Sequence, residues 1–186
     1  MPPATDTRAT IDDLYAVEGK AELIGGRIVQ VMGTGRRPSR VAFRIARALD
    51  DHAEATGVGE AHPDGVAYVV TELASGRESF APDASYHLGP FAADVMKFIA
   101  GAPTFAVEVR SEHDYGPAAL REMAAKRADY FEAGTLVVWD VDTVAGLVHK
   151  HDRDRPDRPT TFARGEVADA EPAVAGWRMA VADVFG

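Results

Sequence analysis

A glutamate stands inside the otherwise apolar run Thr104-Phe105-Ala106-Val107-Glu108-Val109. An ionised carboxylate is expensive to bury unless it is paired, protonated or bound to a metal. Alternation along a strand puts Phe105, Val107 and Val109 on one face and Ala106, Glu108 and Arg110 on the other, so a Glu108–Arg110 ion pair at a strand end is one reading. The other is metal chemistry. Asp83 follows Pro82 and opens the β-prone run Asp83-Ala84-Ser85-Tyr86-His87. Pro-Asp alone is turn chemistry, but an aspartate at the head of one strand and a glutamate within the next can converge on one hard cation. Magnesium, or manganese in its place, suits such a pair when water, a phosphate oxygen and a backbone carbonyl complete the shell. Val109 could supply that carbonyl.

The next candidate is Lys126, within Leu120-Arg121-Glu122-Met123-Ala124-Ala125-Lys126-Arg127-Ala128-Asp129-Tyr130-Phe131. Helical spacing predicts an apolar stripe of Leu120, Met123, Ala124, Tyr130 and Phe131, with Lys126 at its margin and Arg127 nearer its centre. A marginal lysine can run its stem along the core and send its ammonium into a cleft; a solvated helix lysine is the plainer alternative. Upstream, Arg36, Arg37, Arg40, Arg44 and Arg47 span only about 100° of a helical wheel, with Val41, Ile45 and Leu49 on a different face. Such a stripe at a helix start suits phosphate, with Arg36, Arg40 and Arg44 as its nearest contacts. It also opposes the helix dipole, and a solvated face with Arg47 paired to Asp51 is the competing reading.

The elements that must position these groups are readable from pattern. A capping Thr10 predicts a short helix over Thr10–Glu18. Gly25-Gly26 joins two β-prone runs as a tight hairpin. A long helix runs from about Pro38 to Thr56, stopped by Gly57. Strands follow at Val66–Val70, Asp83–His87, Phe105–Val109, Leu136–Asp140 and Leu147–His149, with a helix over Pro117–Glu132 among them. Asp152 to Pro159 reads as a surface loop, which would leave His149 and His151 at an exposed strand end. This order predicts an α/β sandwich, a mixed central sheet flanked by helices, in one domain spanning 1–186.

Composition narrows the class. The 186 residues carry 20 basic and 29 acidic side chains, a net charge of −9, 46% hydrophobic residues and no cysteine. Thiol catalysis, disulfides and cysteine-ligated metals are excluded. No run is long and apolar enough for a membrane helix, and the N-terminus lacks a signal-peptide pattern, so the expectation is a cytoplasmic protein. The negative total argues against avid, non-specific nucleic-acid binding and confines any such contact to the arginine stripe. Lysine is scarce: only Lys20, Lys97, Lys126 and Lys150.

Several segments in order resemble the Uma-two family of restriction-endonuclease-like proteins, within the PD-(D/E)xK nuclease superfamily. They are Glu22-Leu-Ile-Gly-Gly-Arg-Ile-Val, Pro82-Asp83, Gly101-Ala-Pro103 leading into Val107-Glu108-Val109-Arg110-Ser111, Lys126-Arg127-Ala-Asp-Tyr130-Phe-Glu-Ala-Gly134, Val138-Trp139-Asp140-Val-Asp142 and the closing Ala175-Gly176-Trp177 to Phe185. The resemblance implies a restriction-endonuclease-like fold, Asp83 and Glu108 as metal ligands, Lys126 as the superfamily lysine moved from strand to helix, and Glu22 as an accessory acid. Two positions depart from the family pattern. Ser39 stands where a histidine is frequent, and Arg110 stands two residues after Glu108, where the superfamily has its lysine. Arginine stays protonated, so Arg110 is expected to clamp phosphate rather than act as a base. The implied activity is magnesium-dependent phosphodiester hydrolysis, with DNA the expected substrate. The alternative is an inert member of the fold serving as a binding or dimerisation module; a homodimer stays open under either reading.

Overall fold

A computed structural model describes residues 8–186. In chain order the elements are α1 (Ile11–Tyr15), β1 (Ala21–Ile24), β2 (Arg27–Gln30), α2 (Arg36–Thr56), β3 (Glu60–Pro63), β4 (Tyr68–Val69), β5 (Ser79–Phe80), β6 (Ala84–His87), β7 (Ile99–Ala100), β8 (Phe105–Val109), α3 (Pro117–Ala133), β9 (Val137–Asp142), β10 (Leu147–Asp152), β11 (Thr160–Phe162), β12 (Val167–Asp169), β13 (Arg178–Ala180) and α4 (Val181–Phe185). Six strands form the central sheet in the order β11-β10-β9-β8-β6-β3. All neighbours run antiparallel except β8 and β9, which are parallel and joined by the α3 crossover. The expected mixed α/β sandwich is therefore the fold.

The two faces of the sheet divide the core. Phe105, Val107 and Val109 of β8 pack with Val41, Ile45 and Leu49 of α2 and with Trp139 and Trp177. Burying an aliphatic side chain of this size contributes roughly 1.5–3 kcal/mol, so α2 is anchored by its apolar side whatever its arginines do. Trp177 stacks at a tilt on Trp139, 5.1 Å between ring centres, and donates its indole N–H to the Ala48 carbonyl at 3.2 Å, tying the closing segment to α2. On the opposite face Ala106 and Val138 meet Tyr68, Phe80 and Tyr130, which belong to α3 and to the small sheet β5-β4-β7. Glu108 follows Ala106 onto this second face, as strand alternation requires.

Local chemistry explains the ends of the elements. Thr10 caps α1 in a reciprocal box with Asp13, and the helix is shorter than the Thr10–Glu18 expectation. Gly25 and Gly26 sit at φ 58° and 69°, the positive values that a two-residue hairpin needs. α2 begins two residues before Pro38 and ends on Gly57 in the left-handed region. Two expectations are corrected. Leu120 and Ala124 of α3 are exposed, while Lys126 is half-buried and Asp129 and Tyr130 are buried. The helix turns a mostly polar face inward because ion-pair partners wait there, a circumstance hydrophobic periodicity does not register. The end of β10 is covered rather than exposed: Lys150, His151 and Asp152 are buried, and the Pro156 carbonyl of the following loop lies 3.1 Å from His151 Nδ1.

Candidate active site

Four elements bring the site together. β1 delivers Glu22, the turn into β6 delivers Asp83, β8 delivers Glu108 and α3 delivers Lys126. Lys126 Nζ lies 2.8 Å from Glu108 Oε1 and 3.0 Å from Glu22 Oε1. The phenol of Tyr130, one turn further along α3, donates to Glu108 Oε1 at 2.7 Å. Asp83 is tied to the same strand: its amide donates to the Val107 carbonyl at 3.0 Å, and its Oδ2 accepts from the Val109 amide at 2.8 Å. Val109 thus meets Asp83 through its N–H. Asp83 Oδ1 faces Lys20 Nζ at 2.9 Å.

Behind these groups stands a buried network. The Arg77 guanidinium bridges Glu22 Oε2 and Asp129 Oδ2, the latter at 2.8 Å, and Glu22 Oε1 also accepts from the Ala81 amide at 3.0 Å. Arg77 thereby links the hairpin strand to α3. Burial opposes the Glu22 charge, but Lys126 and Arg77 outweigh it and bring the carboxyl down to about 2. Glu108 moves the other way: burial pushes its carboxyl up, helped by the charges of Asp83 and Glu22 and countered by Lys126. For Lys126, burial favours the neutral amine, yet Glu108 and Glu22 prevail and hold it protonated. Two carboxyls with opposite shifts on one ammonium are characteristic of sites that handle protons, though structural ion networks produce the same pattern.

Arg110 is placed elsewhere. Its Nε and Nη2 fork onto both oxygens of Asp140 at 2.7 Å, and Nη1 reaches Asp142 Oδ2 at 2.9 Å. Arg110, expected from sequence to clamp phosphate, is here engaged by two carboxylates of β9. Its partner is also not Glu108. Arg127 joins the same group, 3.5 Å from Asp140 Oδ2, which accounts for its place on the inner side of α3.

A cleft beside Asp83 is lined by Pro38, Ser39 and Phe43 of α2, by Asp64, and by Val109. Ser39 therefore borders the site. The arginine stripe starts at this end of α2 but on the neighbouring side, where Arg36, Arg37, Arg40 and Arg44 line a separate shallow depression with Phe185. Arg36, Arg37, Arg40 and Arg47 are exposed and Arg44 is half-buried. Among the described residues no ion pair joins Arg47 to Asp51.

The family model for Uma2, described as putative restriction endonuclease, matches residues 10–182. This chain belongs to the Uma2 family. Among solved structures, the fold is similar to that of a putative nuclease belonging to DUF820 from Anabaena variabilis, with a TM-score of 0.71 and 17% identity over 95% of this chain and 97% of that one. A likeness at that identity speaks for the fold. No curated protein matches.

The donor set of this Uma2 chain fits a hard divalent cation. Asp83 and Glu108 are oxygen donors close enough for each charge to act on the other, and magnesium commonly takes one or two carboxylates and fills the rest of its shell from water and phosphate. Among the described residues no three histidine, aspartate or glutamate side chains converge as a ready-made cage. Sequence reasoning passed over Lys20, Arg77 and the Tyr130 hydroxyl. A signal existed for Lys20, which is one of four lysines and two residues before Glu22, on the same side of an extended chain. None existed for Arg77, whose partners lie 55 and 52 positions away.

Proposed function

We propose that this Uma2 chain is a metal-dependent nuclease that hydrolyses phosphodiester bonds in DNA. The observation that carries the reading is the meeting of Glu22 and Glu108 on the Lys126 ammonium, with Asp83 bonded to the same strand as Glu108 and near enough for its charge to act on both Glu108 and Lys126. Asp83 and Glu108 would hold a magnesium or manganese ion. Such an ion would supply Lewis acidity to a phosphoryl oxygen and lower the pKa of a bound water. Lys126 would orient the attacking water and offset the negative charge that grows on the phosphoryl oxygens. Glu22 keeps Lys126 charged and aimed, and Tyr130 orients Glu108 through its hydroxyl. Arg36, Arg40 and Arg44 would hold backbone phosphates beside the cleft, as a dense basic surface in a chain of net charge −9.

The inert-module reading draws on one specific feature: both proposed ligands already carry an ammonium, Lys20 on Asp83 and Lys126 on Glu108. Single-turnover cleavage of labelled DNA with magnesium or manganese separates the two. Metal-dependent cleavage by the wild type, lost in Asp83→Asn and Glu108→Gln, supports the nuclease. Metal binding without cleavage of DNA or RNA assigns the chain to the inert class.

A further inference from the structure

Lys20 is the cation paired with a proposed metal ligand to which the nuclease reading gives no task. It precedes β1, and its Nζ sits 2.7 Å from Oδ1 of Asp64, just after β3, and 2.9 Å from Oδ1 of Asp83, just before β6. The other oxygen of Asp83, Oδ2, is engaged by the Val109 amide at 2.8 Å. The oxygen through which Asp83 would most readily meet a metal is thus the one the ammonium covers. Lys20 also feels the charge of Glu108, so it stands within electrostatic reach of both proposed ligands.

The two lysines differ in what would happen to them when an ion arrives. Lys126 is held from behind by Glu22, a buried acid that takes no part in the proposed coordination. Lys20 has its second partner at the mouth of the cleft: the Asp64 side chain is 47% exposed and that of Asp83 21%. An ammonium leaving Asp83 therefore keeps a counter-ion and gains water. Like charges crowded on one carboxylate repel, and the group with the easier exit yields.

On the basis of the metal-dependent reading, we propose that Lys20 competes with the divalent cation for Asp83. It occupies the aspartate in the ion-free protein and passes wholly to Asp64 when the ion binds. Lys20 then sets the concentration of metal at which the site fills. Asp64 acts as the acceptor that makes the exchange feasible, a positioning residue rather than a ligand.

Calorimetric titration with manganese chloride tests this without reference to cleavage. Lys20→Met should bind manganese about tenfold more tightly than the wild type, the effect of removing one cation within 4 to 6 Å of a ligand. Lys20→Arg, which keeps the charge, should bind like the wild type. Asp64→Asn should weaken binding severalfold in the wild-type background and have little effect in Lys20→Met, because the acceptor matters only while the lysine is present. Lys20→Gln is carried in parallel, so that a folding defect in the methionine variant does not decide the result. Manganese binding by the wild type that is unchanged or weakened in both neutral variants overturns the competition, as does an Asp64→Asn effect of equal size in both backgrounds. If neither the wild type nor the neutral variants take up manganese, the metal-dependent reading itself fails and this proposal with it.

Discussion

Lys126 sits in direct contact with two carboxylates, Glu22 and Glu108, so its loss acts on stability and chemistry together. Lys126→Ala would leave Glu108 and Glu22 facing each other across a vacated, largely buried position. Removing one partner of a buried ion pair typically costs about 3–5 kcal/mol. The lower end is expected, because both side chains of the Lys126–Glu108 contact keep about a fifth of their surface in water and solvent screens part of the pair. Urea unfolding at neutral pH should show that loss, and single-turnover cleavage should fall by about 100-fold or more. Marginal placement on the helix wheel predicts a nearly neutral substitution in folding, and a stability change below about 0.5 kcal/mol would favour that expectation over the buried-pair cost.

At the scale of elements, α2 performs two unrelated tasks with opposite sides. Its apolar side is fixed by the sheet, which leaves the arginine side free to be reversed in charge without unfolding the chain. Arg40→Glu combined with Arg44→Glu should weaken DNA binding and flatten its dependence on salt, because each phosphate contact contributes to the slope. Unchanged binding in a filter or anisotropy assay would make the stripe a solvated face and leave the acidic site untouched. The junction of the hairpin with α3 depends instead on Arg77, whose two carboxylate partners are both buried. Arg77→Met should destabilise the protein by about 3–5 kcal/mol, read from thermal or denaturant unfolding. It should also loosen Glu22 from Lys126; full stability in that variant would show the triad to be ornamental.

Across the whole molecule, burial lowers the proton affinity of four histidines, His62, His87, His149 and His151, below the ordinary value of 6.5. The unfolded chain then binds more protons than the folded one as pH falls through that value. The stability these rings contribute is present above about pH 6.5 and is lost below it. The denaturant midpoint should therefore drop between pH 7 and about 5.5, and a flat profile there would count against neutral burial of these rings. His87 is the most enclosed of the four, packed edge-on against Tyr68 and Phe91, and His87→Gln should remove part of the drop. No described helix is long and apolar enough to cross a membrane.

What the amino-acid order settles by itself is whatever depends on near neighbours. The Gly25-Gly26 hairpin, the Gly57 stop of α2, the capping Thr10 and the two faces of β8 all follow from backbone sterics and a period of two or 3.6. The acid in an apolar strand and the scarce lysine were visible as well, since each is a local violation of what burial allows. Tertiary structure alone decided which charges meet. Arg110 and Glu108 share a strand face, yet the guanidinium turns to Asp140 and Asp142 on β9, because the parallel pairing of β8 with β9 sets Glu108 beside Asp140 in register. The inward face of α3 is polar because Arg77, Glu22 and Glu108 supply partners from 18 to 104 positions away in the chain. Coulomb interactions depend on distance in space, and a one-dimensional pattern registers the cost of burying a charge but not the address of the group that offsets it.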